Sequence, residues 1–93
     1  MRIVWDEPKR EKNLSTHGLD FARLDVDFFA EAIVIPAKLG RRMAIGILDD
    51  GVIATIFLAL GHEGISIISM RPASRKERNT YEQIKSQART TDG

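Results

Sequence analysis

The stretch RRMAIGILDDGVIATIFLAL, Arg41 to Leu60, decides the fold. Its two halves are rich in β-branched and apolar residues, which favour strands. Asp49, Asp50 and Gly51 lie between them and are turn formers, so the stretch predicts a tight β-hairpin. The second half, VIATIFLAL, is apolar at both alternating positions. We therefore predict that Val52 to Leu60 is a central strand buried on both faces.

The segments on either side of the hairpin extend the sheet. EAIVIP, before it, ends at Pro36, which suits a strand that stops at or lies on an edge. ISIISM follows the turn GHEG, and Arg2 to Trp5 reads as a short first strand. Between that strand and the sheet, helical spacing of apolar residues predicts a short amphipathic helix, with Phe21, Leu24 and Phe28 on its buried side.

The segment after Trp5 is unusually polar and predicts a helix from about Glu7 to His17. Asp6 suits the N-cap position, and Gly18 suits a C-terminal stop with positive φ. A helix that is polar almost all round cannot be held by an apolar stripe. We therefore expect it either to pack with few contacts or to present a working surface.

Ser74, Arg75, Lys76 and Glu77 form a capping box that starts the last helix. That helix is predicted to bury Tyr81, Ile84 and Ala88, and to leave its charged residues outside: Arg75, Arg78, Glu82 and Lys85. The pattern as a whole predicts an α+β fold, with an N-terminal strand and two helices, an antiparallel sheet of about four strands and a C-terminal helix. Residues 1–88 form a single domain, and residues 89–93 are expected to be a disordered tail.

Composition excludes several classes of protein. The chain has 93 residues, a net charge of +1 and no cysteine, so it has neither a disulfide framework nor a thiolate metal site. Its longest apolar run is too short to span a membrane, and no secretory segment begins the chain, so a cytoplasmic location is expected. From Arg71 onward the chain is basic, which indicates a polyanion contact or simply a solvated helix face.

Two groups of residues are candidates for chemistry. Lys9, Asn13 and His17 follow helical spacing and share one face, with Lys12 beside them. His17 lies at a helix C-terminus, where the dipole favours its protonated form; its alternative role is a C-cap. His62, in the turn GHEG, reads as an exposed loop residue, and no phosphate-binding glycine motif or metal-binding histidine motif is present.

The second group follows the last strand. Arg71 ends it, and Arg75, Glu77 and Arg78 occupy the first turn of the next helix, where an anionic ligand would be favoured. Glu77 also has a structural reading as the capping-box partner. Arginines with a histidine or carboxylate suffice to cut RNA by attack of its own 2′-hydroxyl on the adjacent phosphorus, a reaction that requires a base, an acid and cations.

The segment WDEPKREKNLSTHGLDF resembles the amino-terminal signature of the BrnT family of bacterial type II toxins, W-D-E-x-K-x-x-x-N-x-x-K-H-G-x-x-F. A second signature, I-I-S-x-R-x-A-x-x-x-E-x-x-x-Y-E, appears as IISMRPASRKERNTYE, and together they cover about residues 3–84. Thr16 stands where the family often has lysine. If that lysine assists phosphate binding, activity could be weakened here, or Lys12, one turn earlier, could substitute for it.

The resemblance implies a RelE-like fold and a metal-independent ribonuclease that arrests translation without a cofactor. It also implies a BrnA-like ribbon-helix-helix antitoxin, with operator DNA bound only through that antitoxin. The predicted site has catalytic residues Arg71, Glu77, His17 and Lys12, and RNA-binding residues Lys9, Arg75, Arg78 and Tyr81. The alternative is a non-catalytic RNA- or protein-binding module with the same fold.

Overall fold

The computed structural model describes residues 1–91, with side chains of the last helix described to residue 88. Two short 3-10 segments, Phe21–Arg23 and Lys38–Gly40, interrupt the connections between the main elements. Within residues 1–91 the elements follow the order β1 (Arg2–Trp5), α1 (Glu7–His17), α2 (Val26–Glu31), β2 (Ile33–Pro36), β3 (Arg42–Leu48), β4 (Gly51–Leu60), β5 (Gly64–Pro72) and α3 (Arg75–Thr91).

The strands form one five-stranded sheet in the order β1-β5-β4-β3-β2. Strand β1 runs parallel to β5, whereas the other neighbours are antiparallel. Leu48 pairs with Gly51 across the turn Asp49-Asp50, and Asp49 takes a positive φ of 57°. The α+β class and the tight hairpin are therefore confirmed, and the first strand joins the same sheet as the meander.

Strand β4 is central, as predicted, but it is not buried along its whole length. Ile53, Ala54 and Thr55 are buried, whereas Leu58 is 36% exposed and Leu60 is 49% exposed. Strand β3 begins at Arg42, which pairs with Phe57, so the last three residues of β4 have only β5 beside them. The prediction of burial on both faces is wrong for this projecting end.

Side chains of the sheet alternate between two hydrophobic clusters on opposite faces. Ala44 belongs to the larger cluster with Phe21 and Phe28, beneath the segments that precede β2. The next residue, Ile45, belongs to the smaller cluster with Ala73 and Tyr81, beneath α3. Because successive strand residues face opposite sides, α2 and α3 cover different faces of the sheet.

The segment before β2 forms two short pieces instead of one amphipathic helix. Asp20 accepts a hydrogen bond from the Ala22 amide at 2.9 Å, and Asp25 accepts one from the Phe28 amide at 2.8 Å. Each aspartate therefore starts a new turn of helix. The three apolar residues Phe21, Leu24 and Phe28 are nevertheless all buried, as their spacing predicted.

Helix α3 packs on the sheet through a narrower face than predicted. Tyr81 is buried, but Ile84 is 41% exposed and Ala88 is also exposed, so the expected burial of these two residues is wrong. The helix runs to Thr91 and includes the first three positions of the expected tail; residues 92 and 93 lie outside the described residues. Among residues 1–91, no helix has the length and apolar character needed to cross a membrane.

Candidate functional site

Helix α1 is attached to the sheet by one buried polar side chain. Asn13 is 7% exposed, and its Oδ1 accepts a hydrogen bond from the Met70 amide at 3.1 Å. Its Nδ2 donates to the Leu19 carbonyl at 3.1 Å. Strand β1 ends at Trp5 opposite Ile67, so Asn13 supplies a bond to β5 beyond the point where the neighbouring strand stops. The sequence grouped Asn13 with the exposed face of α1, whereas the structure makes it an anchor.

Charged side chains hold the start of α1. The Trp5 indole donates to Glu7 Oε1 at 2.6 Å, and Arg10 Nε donates to the same oxygen at 3.0 Å. Arg10 Nη1 continues to Asp20 Oδ1 at 3.1 Å. The Arg10 guanidinium and then the Trp5 indole hold the pKa of Glu7 below its ordinary value. The Ala22 amide and then Arg10 lower the pKa of Asp20.

The sequence predicted a residue at each end of α1, and the structure shows how each of them ends the helix. Asp6 stands at the N-cap position with an extended φ of −93°, but its side chain makes no capping hydrogen bond. Gly18 is the C-cap with φ 70°, and its amide donates to the Leu14 carbonyl at 2.8 Å. The glycine stop and the N-cap position of Asp6 are therefore confirmed, although the side chain of Asp6 does not cap the helix.

The cations of α1 remain available to a ligand. Lys9, Lys12 and His17 are all exposed, and none of them forms an ion pair with another described residue. Lys9 and His17 lie one turn to either side of Asn13 along the helix. Lys9 and His17 thus flank the anchor on the same side of α1, and both remain exposed.

Arg71 and Glu77 form a bidentate pair between the end of β5 and the start of α3. Arg71 Nη1 lies 2.7 Å from Glu77 Oε1, and Nη2 lies 2.8 Å from Oε2. Glu77 Oε1 also accepts from the Ser74 amide at 2.8 Å, and Ser74 Oγ accepts from the Glu77 amide at 3.1 Å. The capping box is confirmed. The structural partner of Arg71 is therefore Glu77.

This pairing changes what each partner can do chemically. Mainly through the Arg71 guanidinium, and also through the Ser74 amide, the pKa of Glu77 falls to about 2. A carboxylate with that pKa is a weak proton acceptor at neutral pH and does not suit a general base. In turn, the two Nη atoms that would bind two phosphate oxygens in parallel already bind Glu77.

Arg71 nevertheless keeps unused donors. Nη1 also contacts the Pro72 carbonyl at 3.3 Å, but Nε–H and the second hydrogen of Nη2 contact no described residue. These two N–H groups lie on the same side of the planar guanidinium, and the side chain is 36% exposed. An anion can therefore bind this second edge while Glu77 holds the first.

The other predicted RNA-binding residues divide into exposed and buried. Arg75 and Arg78 are exposed on the first turn of α3. Tyr81 is 9% exposed and packs in the cluster with Ile45 and Ala73. Less than a tenth of Tyr81 is thus accessible for stacking on a base, and its part in RNA binding stays a prediction.

The two groups of residues meet at the end of β5. Asn13 of α1 binds the amide of Met70, and the next residue, Arg71, points to α3. The structure thus brings Arg71 and Glu77 into direct contact and places the Lys9–His17 face beside the same end of β5. Among the described residues, no group of three His, Cys, Asp or Glu side chains is arranged to hold a metal ion.

Sequence reasoning missed two residues that organise this region. Arg10 links Glu7 to Asp20, which lies ten residues further along the chain. Asp20 also starts the first 3-10 segment. The Glu7–Arg10 pair has the i, i+3 spacing of a helix. The Arg10–Asp20 contact follows no helical or strand period, so local spacing carries no signal for it.

Comparison with known proteins identifies the family of this chain. The family model for the ribonuclease toxin BrnT of type II toxin-antitoxin systems matches residues 5–77. The crystal structure of the Brucella abortus ribonuclease toxin BrnT is 53% identical and superposes with a TM-score of 0.76, covering 81% of this chain and 99% of that one. A search of curated proteins found no match.

These matches first define a class, the ribonuclease toxins of type II toxin-antitoxin systems. The family model covers most of the chain, including both signatures up to Glu77. The chain belongs to the BrnT family.

Proposed function

We propose that this ribonuclease toxin cuts RNA without a metal ion, at the end of β5 between α1 and the start of α3. The observation that carries the proposal is the hydrogen bond from the Met70 amide to Asn13. It fixes the cationic face of α1 beside the strand that presents Arg71. Such a site has cations from α1 and β5 and a histidine from α1. These groups suffice for the proposed cleavage without a metal ion or cofactor.

The proposed reaction is attack of the RNA 2′-hydroxyl on the adjacent phosphorus. A base removes the 2′-hydroxyl proton, the new O2′–P bond forms, the P–O5′ bond breaks, and an acid protonates the leaving 5′-oxygen. The products are a 2′,3′-cyclic phosphate and a 5′-hydroxyl. We assign a proton-transfer role to His17, because it is exposed and adjoins the anchored Asn13.

The cations then stabilise the extra charge on phosphorus. Arg71 offers Nε–H and an Nη2 hydrogen to phosphate oxygens, and Lys12 adds a point charge from α1. Glu77 holds the guanidinium in place and is assigned as a positioning residue, since its pKa of about 2 makes it a poor base. Lys9, Arg75 and Arg78 are exposed and suit contacts with flanking phosphates.

The partner proposed for this toxin is a BrnA-like ribbon-helix-helix antitoxin, and operator DNA would be bound only through it. Arrest of translation in the cytoplasm follows from cleavage of RNA there. Family membership supports an antitoxin, and the resemblance of the two signatures supports its type.

The deciding experiment compares two histidines. Purified wild-type protein, His17→Ala and His62→Ala are incubated with single-stranded RNA in EDTA, and rates and product ends are measured. We expect His17→Ala to lose about 100-fold or more, the usual contribution of a general acid or base, and His62→Ala to remain active. His62 is exposed on the turn between β4 and β5, so it is a matched control.

A substrate with a single 2′-deoxy position at the cleaved bond should resist cutting. Cleavage that disappears in EDTA and returns with Mg²⁺ would contradict the proposed mechanism. Equal loss in both histidine variants would contradict the assignment of His17. Complete absence of cleavage by a folded wild-type protein that still binds RNA would favour the non-catalytic alternative.

Arg71→Lys tests the arginine separately. Lysine keeps the charge but cannot bind Glu77 and a phosphate along two edges of one planar group. We expect a loss of about tenfold or more in cleavage rate and a modest fall in melting temperature. Wild-type cleavage by Arg71→Lys would remove Arg71 from the proposed phosphate site.

A further inference from the structure

The outer edge of β2 and the turn after it expose apolar side chains. Strand β2 is the last strand of the sheet and pairs only with β3 among the described strands. Val34 on this strand is 47% exposed. Leu39, in the turn of residues 37–42, is 84% exposed, more than any other large hydrophobic residue described. Both side chains are therefore accessible at one edge of the sheet.

The backbone of Leu39 makes its exposure informative. Leu39 has φ 61° and ψ 37°, the left-handed conformation that is unfavourable for a non-glycine residue. The next residue, Gly40, has φ 72° and carries no such cost. Glycine or asparagine would suit position 39 better, and no buried contact compensates a leucine there. A side chain that is strained and exposed in the free protein points to a contact outside it.

The same turn carries cations that lack partners. Lys38, Arg41 and Arg42 form no ion pair with any described residue. Three other arginines, Arg10, Arg23 and Arg71, are each paired with a carboxylate. The surface at residues 34–42 thus combines a free strand edge, two exposed apolar side chains and uncompensated positive charge.

We propose that this surface, the β2 edge, binds an extended acidic segment of the antitoxin. The backbone of the segment would add a strand beside β2, its apolar side chains would pack on Val34 and Leu39, and its carboxylates would pair with Lys38, Arg41 and Arg42. This inference rests on family membership and is independent of the RNA-cleaving site, because β2 and β5 are separated by two strands.

Two other occupants fit these observations less well. RNA would use the cations but not Val34 and Leu39, and no aromatic side chain lies within residues 33–42 for bases to stack on. A second copy of the chain would bring another turn of the same charge to the edge. An acidic polypeptide strand uses every feature of the surface.

The test uses the whole protein and a fluorescent heptapeptide, acetyl-Glu-Val-Glu-Leu-Glu-Val-Glu, followed by anisotropy. Wild-type protein should bind it with a Kd of roughly 100 μM, whereas a peptide with lysine in place of glutamate should not bind. Leu39→Asn should weaken binding about fivefold, and the double charge reversal Arg41→Glu with Arg42→Glu about tenfold or more. The matched controls Leu60→Asn and Arg2→Glu, at exposed positions away from β2, should stay within about twofold.

Leu39→Asn also separates binding from folding, because asparagine tolerates the left-handed conformation. Its melting temperature should equal or exceed that of the wild type while binding falls. The same variants are then co-expressed with the antitoxin: those that lose peptide binding should arrest growth more strongly than wild type, with RNA cleavage in vitro unchanged.

Three results would overturn the proposal. The first is absence of saturable peptide binding, or equal loss in the controls. The second is loss of RNA binding in the Arg41/Arg42 variant with peptide binding intact, which identifies a nucleic-acid surface. The third is a concentration-dependent dimer of wild type that Leu39→Asn abolishes, which identifies a second copy as the occupant. Failure of RNA cleavage, in contrast, bears only on the β5 site.

Discussion

Helices α1 and α3 are both joined to the end of β5, but they are attached to the sheet in different ways. Helix α1 buries a single side chain, the polar Asn13, and its start is held by hydrogen bonds among Trp5, Glu7 and Arg10. Helix α3 buries Tyr81 and is held at its start by Glu77. One helix therefore depends on directional polar contacts, and the other on one aromatic side chain and an ion pair.

The difference shows how a small domain can keep a helix polar on nearly every side. Two hydrogen bonds between Asn13 and backbone groups replace the apolar stripe, one donated by Asn13 and one accepted by it, so the remaining positions are free to carry cations. Helix α3 has an aromatic anchor, yet its far half exposes Ile84 because the anchor lies near its middle. The mode of attachment thus decides which surface remains for a ligand.

The largest expected effect concerns the anchor of α3. Tyr81→Ala should destabilise the protein by about 3–5 kcal/mol, the usual cost of truncating a buried aromatic residue. Ile84→Ala, one turn further along, should cost less than about 0.5 kcal/mol because Ile84 is exposed. Urea unfolding of both variants measures this. Equal losses would mean that α3 packs along its whole length, as its sequence pattern predicted.

The anchor of α1 comes next. Asn13→Ala leaves the Met70 amide and the Leu19 carbonyl without their partner, and should cost about 2–3 kcal/mol. Lys12→Ala, an exposed neighbour, is the control and should cost less than about 0.5 kcal/mol. Hydrogen exchange at Met70 should also accelerate in the Asn13 variant. Unchanged protection there would contradict the attachment described for α1.

A smaller effect, dependent on pH, is expected for Glu77. Its folded-state pKa of about 2 lies below the ordinary value of 4.5, so its stabilisation is present above pH 4.5 and is lost as the pH falls towards 2. At neutral pH, Glu77→Gln should be less stable than wild type by about 1–2 kcal/mol. This value is reduced because Arg71 is partly exposed and solvent screens the ion pair. Unfolding measured from pH 7 to 2 should show the two curves converging. A constant difference across that range would contradict the ionised pair.

The smallest expected change in stability concerns Thr55, which is the other buried polar residue described besides Asn13. Thr55 is fully buried in β4, and none of the described residues provides a hydrogen-bond partner for its Oγ1. Thr55→Val keeps the shape and removes the unpaired hydroxyl, so it should raise stability by about 1 kcal/mol. Thermal unfolding measures the shift, with Thr80→Val as the comparison, because the Thr80 hydroxyl has a partner in the Lys76 carbonyl. A loss of stability would show that the hydroxyl is satisfied in solution.

The sequence was sufficient where neighbouring residues decide the structure. The Asp49-Asp50 turn, the Gly18 stop and the capping box of Ser74 and Glu77 each depend on a few adjacent positions, and all three are present. The exposure of Leu58 and Leu60 depends instead on where β3 begins, which their own alternation does not report. The local pattern therefore predicted strand β4, but not which of its residues the neighbouring strand leaves exposed.

The site shows the same division. Exposure of Lys9 and His17 followed from the polar pattern of α1. The role of Asn13 depends on Met70, 57 residues away, and no periodicity connects them. The sequence identified Glu77 as a capping residue. Its ion pair with Arg71 depends on how the chain bends between β5 and α3. Residue types predicted the chemistry available, whereas partners required the fold.

The parallel pairing of β1 with β5 has a consequence for the folding of the toxin during its synthesis. Arg2 pairs with Gly64, so this contact has a high sequence separation, whereas β3, β4 and β5 form from adjacent hairpins. An isolated helix of eleven residues is marginal in water, so α1 needs Met70 to hold it. A chain still emerging from the ribosome therefore carries its lysines and histidine on an unformed surface. The surface of α1 therefore takes its folded form only after β5 has been synthesised and the first strand has paired with it.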